Sequence, residues 1–426
     1  MELSMIDHIQ TLQSELGGIV GAEYVQPATS ADMVDGVQPQ LVVSPGSGDE
    51  VARVLRLANA AGLAIAPRGG GTKLGWGNRP ERLDLVVSTR RLNEVLEHAW
   101  SDMTATVQAG CTVSAFQHQL AQHGQHLVLD PLWLDAATIG GILATNDSGA
   151  LRVRFGTLRD LILGITVALP DGTLAKSGGK VVKNVAGYDL PKLMTGALGT
   201  LGIIVDATFR LYPLPAETTI LRVAPASIQS ANDLMVRVLD STLVPTGLQC
   251  HVAVNQAPEV WIRFEGMRAA LEAQLEQLRQ ICEATSISQT LTTHDLWPGL
   301  RRMWQRSQAT LICKTSVLPS DIAAMVKAVE RVARPLRLDW ELVAQAVGVG
   351  SLRLHGANDQ ALLAALTIIR AEITTLGGTV VVLDAPLGVK QQIDVWGPTK
   401  APALMRRVKD HFDPQHMLNP GRFVGF

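Results

Sequence analysis

Three consecutive glycines, Gly69, Gly70 and Gly71, constrain this chain more than any other feature of its sequence. They lie in the run Ala66-Pro67-Arg68-Gly69-Gly70-Gly71-Thr72-Lys73-Leu74-Gly75-Trp76-Gly77, directly after Leu63–Ala66, a short apolar segment of strand character. Glycine reaches positive φ without strain and has no Cβ, so successive backbone N–H groups can converge on one anion. A concave row of N–H groups with Thr72 and Lys73 beside it suits a diphosphate. Taken alone, the run reads equally well as a glycine-rich surface turn. Further Gly-rich stretches near residues 140 and 199 move the balance toward a ligand.

At 426 residues the chain has room for roughly two or three domains. Hydrophobic residues make up 47% and charged residues 18%, which supplies ample core. The formal charge is −2 and no block of like charge occurs, so a nucleic-acid footprint is not expected. No apolar run approaches the about 20 residues that span a bilayer, so no transmembrane segment is expected. Residues Met1–His8 lack the basic start and apolar core of a signal peptide. The reading is cytoplasmic, with peripheral attachment to the inner face of the membrane through partners left open. Cys111, Cys250, Cys282 and Cys313 are far apart and form no C-x-x-C pair. The chain therefore shows no iron–sulfur or zinc pattern, and no metal ligand is assigned. Any electron-transfer role would need a partner to carry electrons onward.

Residues 1–35 read as a helical appendage built on the amphipathic stretch Ile6–Leu16. Regular patterning begins near Gln40, and residues 36–215 read as one domain. There Ser47-Gly48-Asp49-Glu50 has capping-box spacing, and the helix it starts places Val51, Val54, Leu55, Ala58 and Ala61 on one face. Strands follow at Leu83–Ser88, Thr104–Gln108, Gln125–Leu129, Leu161–Pro170 and Ile203–Tyr212, with a hairpin turn at Asp171-Gly172. Pro213-Leu214-Pro215 marks a boundary. Residues 216–400 alternate strands, at 220–223, 260–264, 309–314, 352–355 and 379–383, with helices, an α+β layer with helices on one face of a sheet. Residues 401–426 are a helix followed by Asp413-Pro414-Gln415-His416-Met417-Leu418-Asn419-Pro420-Gly421-Arg422-Phe423.

Familiar nucleotide motifs are absent. No G-x-G-x-x-G follows a strand. Ser177-Gly178-Gly179-Lys180 only imitates the end of a P-loop, since Leu174 stands where the upstream glycine belongs. Three stretches instead share unhindered backbone N–H groups beside strands: Arg68–Leu74, Thr138–Gly149 with its hydroxyls and the Asn146 amide, and Gly199–Ile204, whose Ile203 and Ile204 suit a flat heterocycle. Together they favour a large nucleotide cofactor.

Five ordered runs carry a resemblance: Pro-Arg-Gly-Gly-Gly-Thr at 67–72, Thr-Ile-Gly-Gly at 138–141, Asn-Val-Ala-Gly-Tyr-Asp-Leu-Pro-Lys-Leu at 184–193, Gly-Thr-Leu-Gly-Ile-Ile at 199–204, and Phe-Asp-Pro-x-x-Met-Leu-Asn-Pro-Gly-Arg at 412–422. The chain resembles the FAD-linked oxidases of the vanillyl-alcohol-oxidase/p-cresol-methylhydroxylase (PCMH) type, strongly over residues 41–213 and 404–426 and poorly between. Within that type it is most similar to the FAD-binding subunits of glycolate oxidase. The resemblance implies an α+β fold, a PCMH-type FAD-binding domain of two α+β subdomains plus an α+β cap with a largely antiparallel sheet. It implies FAD, with Pro67, Arg68, Gly69, Gly70, Gly71, Thr72, Lys73 and Leu74 at the pyrophosphate. Thr138, Ile139, Gly140, Gly141, Thr145, Asn146 and Ser148 would line the flavin, with Gly202 and Ile204 against it and Asn419 returning from the C-terminus. Lys183, Asn184 and Tyr188 would be flavin-proximal. Relatives with covalent flavin often carry a histidine in the first loop. None occurs here between His8 and His98, so noncovalent FAD is expected. By the same analogy the partners are a second flavin subunit and an iron–sulfur subunit of a glycolate oxidase-like complex, and the substrate is a small 2-hydroxy acid.

Oxidising a 2-hydroxy acid needs a cation for its carboxylate and a base, or a metal, for the hydroxyl proton. Related catalytic subunits carry a two-histidine cap motif. The nearest stretch here, Gly350–Asp359, holds one histidine. Arg353 and His355 alternate with apolar residues and so share one face of a strand, as a carboxylate clamp and base or as a solvated face. Three readings stay open: an FAD-binding relay subunit, a self-sufficient 2-hydroxy-acid or alcohol dehydrogenase, and a nonenzymatic assembly subunit stabilised by FAD. The histidines at 118, 123, 126, 411 and 416 read as structural or surface groups.

Overall fold

The computed structural model describes residues 2–179, 188–283, 288–292, 303–304 and 309–424. Two units divide them. Unit 1 takes the chain up to Ser148, Thr157–Leu214 and the segment from Thr399 onward; unit 2 takes Gly149–Gly156 and Pro215–Pro398.

In unit 1 the helix Gly48–Ala60 starts where its capping signal lies, and Ser47 Oγ accepts from Glu50 N at 3.1 Å. The reciprocal half of the box differs, because the Glu50 carboxylate accepts from Gly46 N at 2.7 Å. The helix buries Val51, Val54, Leu55 and Ala58 in a core shared with Leu12, Leu16 and Val20 of the first helix, Glu2–Val20. Residues 1–35, read from sequence as an appendage, thus supply apolar side chains to that core. Strands β1 (Val25–Pro27), β2 (Leu41–Val43), β3 (Ile65–Arg68) and β4 (Leu85–Ser88) form a sheet in the order β1-β2-β4-β3. Strand β4 runs parallel to both β2 and β3: the chain passes from β2 to β3 through the helix Gly48–Ala60, and from β3 to β4 through the glycine loop and irregular chain of residues 69–84.

A second, antiparallel sheet has the order β5-β6-β10-β8-β9, with β5 (Val95–Ala99), β6 (Thr104–Gln108), β8 (Ile162–Ala168), β9 (Leu174–Gly178) and β10 (Ile203–Arg210). The β8–β9 hairpin turns at Asp171-Gly172, where Gly172 takes φ +82° and Asp171 Oδ1 accepts from Thr173 N at 2.8 Å. Of the strand expected over Gln125–Leu129, only β7 (Gln125–His126) pairs, with β11 (Tyr212–Pro213). Strand β5 has no fully buried position and no apolar alternation to reveal it.

Unit 2 is an eight-stranded sheet of order β15-β12-β14-β13-β17-β18-β16-β19, antiparallel at every pairing. Its strands are β12 (Glu217–Ala224), β13 (Gly247–Ala253), β14 (Glu259–Gly266), β15 (Ser288–Thr292), β16 (Thr310–Ser316), β17 (Asp339–Gln345), β18 (Val349–His355) and β19 (Thr379–Asp384). Helices Ile228–Asp240, Arg268–Glu283, Ile322–Ala333 and Asp359–Thr375 cover one face, and alternate strand residues such as Leu248, Ile262, Leu342 and Leu354 pack against them. Strands β13 and β17 were not assigned from the sequence, although Leu248, Cys250 and Val252 on one and Trp340, Leu342 and Ala344 on the other recur at every second position, the period of a half-buried strand. Among the described residues no helix is long and apolar enough to cross a membrane.

The C-terminal segment covers the free edge of β3. Ile65 N donates to Met417 O and Asn419 N to Ile65 O, both at 2.7 Å. A buried ion pair sets that segment: Lys409 Nζ lies 2.5 Å from Asp413 Oδ2, with both side chains fully buried. Lys409 also donates to Thr200 O at 2.8 Å and Leu418 O at 2.9 Å, while Asp413 accepts from Met417 N and Leu418 N. Burial pulls the Lys409 ammonium below its ordinary range, against the opposing pull of Asp413. Removing one partner of such a pair strands the other charge. Lys409→Met is therefore expected to lose about 3–5 kcal/mol of stability in chemical denaturation. A loss below about 1 kcal/mol, the worth of an exposed pair, would contradict this account.

Candidate functional site

Two adjoining recesses in unit 1, with about 500 and about 410 Å³ of empty space, share Pro67, Arg68, Gly69, Gly141, Ala144 and Leu198 as lining. The glycine loop forms one wall. Gly69 and Gly70 admit no side chain: a Cβ at Gly69 would stand 2.0 Å from Thr138 Oγ1, and one at Gly70 would stand 1.7 Å from Ala136 O. Gly71 adds φ +76°.

The orientation of the loop's peptides follows from its carbonyls. Arg68 O accepts from Thr89 N at 2.9 Å, and the Arg90 guanidinium reaches Gly69 O at 3.4 Å and Gly70 O at 3.5 Å. In a trans peptide N–H and C=O point oppositely. Three carbonyls drawn to residues 89 and 90 therefore leave the N–H groups of Gly69, Gly70 and Gly71 facing the other way. Among the described residues the backbone N–H groups of 69–73 donate to no protein acceptor. Strong donors in a built wall call for an acceptor. A row of five suits an oxyanion cluster such as a diphosphate.

Side chains near this row are committed elsewhere. Arg68 pairs with Asp32 at 2.5 Å. Burial works against the Asp32 carboxylate, but the Thr29 N–H and Arg68 outweigh it and hold its pKa below the ordinary value. Lys73 lines the recess, yet its ammonium is almost wholly buried, 2.9 Å from Asp147 and between the Trp76 and Trp133 rings at 5.8 and 5.4 Å. It thus faces an internal carboxylate, where the sequence reading set it beside the anion.

The stretch 138–149, singled out in the sequence for its hydroxyls and unhindered backbone N–H groups, contains a helix, Ile139–Thr145, with Thr138 Oγ1 accepting from Gly141 N at 3.3 Å. Helical periodicity sorts its residues. Thr138, Gly141, Ala144 and Thr145 face the recesses, while Ile139, Ile142 and Leu143 enter the core. Ile139, fully buried, lies outside the lining, as do Asn146 and Ser148. Gly140, Gly202 and Ile204 line the second recess, with Ala109, Gly199 and Ile203 completing a largely apolar wall. Lys183 and Asn184 lie outside the described residues, and Tyr188 is 91% exposed.

Asn419 and Arg422 arrive from the C-terminus. Asn419 Nδ2 donates to Leu198 O at 2.7 Å, and Leu198 N donates to Ala144 O at 2.8 Å. These bonds hold Leu198 at φ +51° and Asn419 at φ +46°. A left-handed leucine costs about 1–2 kcal/mol, so the surroundings impose it. The Arg422 guanidinium donates to Leu74 O and Trp76 O. Burial draws its pKa down to about 10, with Asp35 opposing. Asp32, Arg90, Leu198 and Arg422 were missed in the sequence because each acts through a long-range bond. Of these, Arg422 alone carried a signal, as the last residue of the 412–422 run that bears the family resemblance.

Unit 2 carries the other two candidates. Arg353 and His355 lie on the same face of β18, the face opposite the helices, and the half-buried Arg353 side chain makes no hydrogen bond or ion pair with any described residue. Its Nε atom is buried and unpartnered. His355 is exposed, with Nδ1 3.2 Å from Thr310 Oγ1.

The FAD binding domain family matches residues 39–178, and the C-terminal domain family of FAD linked oxidases matches 212–355 and 396–423. The chain is 27% identical over 427 residues to glycolate oxidase subunit GlcD of Bacillus subtilis, covering 90% of this chain and 88% of that one. It is 28% identical over 409 residues to a D-lactate dehydrogenase of Archaeoglobus fulgidus, covering 90% and 91%. In solved structures its fold matches p-cresol methylhydroxylase with a TM-score of 0.76 at 15% identity, covering 97% and 96%. It also matches 4-ethylphenol oxidase from Gulosibacter chungangensis with a TM-score of 0.75 at 16% identity, covering 98% and 97%.

Asp32 makes part of the loop's support pH-dependent. A carboxylate whose folded pKa is depressed adds stability above its unfolded pKa and loses it as pH falls through the folded value. Asp32→Asn is thus expected to unfold more easily than the parent at pH 7. The difference should shrink once the pH falls below about 4, the unfolded carboxylate range. A difference that persists unchanged at pH 3 in paired thermal melts would show that the charge is not its source.

Proposed function

The chain belongs to the FAD-linked oxidases of the p-cresol-methylhydroxylase type and binds FAD, and on that premise we propose that it is the FAD-binding subunit of a glycolate or D-lactate oxidase/dehydrogenase. In this reading it takes part in oxidising a 2-hydroxy acid to a 2-oxo acid, in a complex with a second flavin subunit and an iron–sulfur subunit. Relatives named for glycolate, D-lactate and D-2-hydroxyglutarate support the substrate class. The four cysteines support the need for partners, since each is buried and none neighbours another in sequence.

FAD suits the residues present. The N–H groups of 69–73, which donate to no described residue, would hold its pyrophosphate noncovalently, Thr138, Gly141 and Thr145 would flank it, and Gly202, Ile203 and Ile204 offer an apolar wall to its ring. Asn419 and Arg422 would brace the loop and Leu198 beside it. Bound FAD supplies a two-electron acceptor. The observation that carries the substrate reading is Arg353, a half-buried guanidinium without a partner anion among the described residues. It would bind the acid's carboxylate through paired N–H donors. His355, on the same strand face, would accept the hydroxyl proton as the carbinol C–H bond breaks.

Gly70→Ala is expected to lower FAD affinity at least tenfold in titrations of apoprotein, and acid denaturation of the parent should release all its flavin. Retained affinity would separate the loop from the pyrophosphate. The functional reading is tested by visible absorption of the chain, alone and with its co-purifying partners, before and after anaerobic glycolate or D-lactate. Bleaching by either acid is expected, and Arg353→Ala or His355→Ala should slow it at least tenfold. Bleaching of the isolated chain would mark a self-sufficient dehydrogenase. A flavin that neither acid bleaches, even in the complex, overturns the reading.

A further inference from the structure

The face of the unit 2 sheet away from its four helices holds an opposed charge pair that does not pair. Glu341 on β17 lies directly across the antiparallel ladder from Arg353 on β18. Opposite charges at such positions have Cβ atoms about 4.5–5.5 Å apart and ordinarily attract. Arg353 nevertheless makes no ion pair with Glu341 or with any other described residue. The Glu341 carboxylate is turned the other way, with Oε1 2.8 Å from His251 Nε2 on β13.

We propose that His251 is a positioning residue that holds Glu341 off Arg353 and so keeps the guanidinium open to the carboxylate of an exogenous acid. The inference rests on the reading of Arg353 as the acid-binding group. His251 has a second acid beside it: Glu259 on β14 stands directly opposite in the ladder. That carboxylate is occupied by Arg222 at 3.3 Å and by Trp261 Nε1 at 3.1 Å. Asp339, the next acid on the same face of β17, is exposed and lies opposite His355 rather than Arg353. Glu341 is therefore the carboxylate that His251 can direct. Without the imidazole, the strongest partner within its reach is the unpartnered guanidinium, through charge-assisted hydrogen bonds. Glu341 would then act as an internal competitor of the substrate, and His251 sets how tightly the acid binds by withholding it.

The test uses the full-length FAD-loaded chain and oxalate, which offers a carboxylate but no oxidisable C–H bond, with binding read by equilibrium dialysis. His251→Phe is expected to weaken oxalate binding at least tenfold. The double variant His251→Phe/Glu341→Gln, which also removes the freed carboxylate, should restore it to within threefold of the parent. His251→Gln, whose amide can still donate to Glu341, should bind within threefold of the parent as well. Unchanged binding by His251→Phe overturns the proposal. So does a double variant as weak as the single one, the result expected if the pair merely supports the sheet. Arg353→Met separates the two claims. If it leaves oxalate binding intact, or if the parent binds no oxalate, the carboxylate assignment itself fails. If it abolishes binding while the His251 variants have no effect, only the positioning role falls.

Discussion

Five consecutive backbone N–H groups without an acceptor among the described residues are the constraint on which unit 1 is arranged. An extended strand would spend its N–H groups in a ladder, so the chain must leave β3 at Arg68 and turn its peptides. Glycine makes the turn sterically possible, but glycine alone does not aim it. The aim comes from Thr89 and Arg90 drawing three carbonyls to one side, and from Thr138 and Ala136 packing where Cβ atoms would otherwise be. Asp32 takes Arg68 and Asp147 takes Lys73, so two cations flanking the loop are neutralised within the protein. Affinity for an anion there then rests on oriented dipoles, which need no reorganisation when a ligand arrives.

The same wall depends on a segment more than 300 residues later in the chain. Lys409 and Asp413 fold the C-terminal turn, that turn lays Met417–Asn419 along β3, and Arg422 fastens the far end of the glycine loop. Burying an ion pair is poor value for stability in itself. Here it satisfies two carbonyls and two N–H groups that would otherwise be orphaned, and it places Asn419 against Leu198.

Unit 2 solves a different problem with simpler means. A sheet with four helices on one face sorts its side chains by parity, so apolar residues meet the helices and polar residues gather on the other face. That face concentrates Arg222, His251, Glu259, Glu341, Arg353 and His355 on neighbouring strands. Which of them pair is decided by register and by competition: Arg222 takes Glu259, His251 takes Glu341, and Arg353 remains.

Local pattern is what the sequence determined by itself. The helix at 48–60, the β8–β9 hairpin, the one-sided α+β layer and the shared face of Arg353 and His355 all follow from periodicity, caps and turn residues, which act over a few positions. The glycine loop was legible too, because only glycine tolerates such crowding. Tertiary structure decided the rest. The stretch 138–149 holds a helix despite its glycines because Ile139, Ile142 and Leu143 find a core, and that burial removed Ile139 from the lining. The roles of Asp32, Arg90, Leu198 and Arg422, and the isolation of Arg353 beside Glu341, depend on partners distant in sequence. No short-range pattern encodes them, because a hydrogen bond's value lies in which groups the fold brings within about 3 Å of each other.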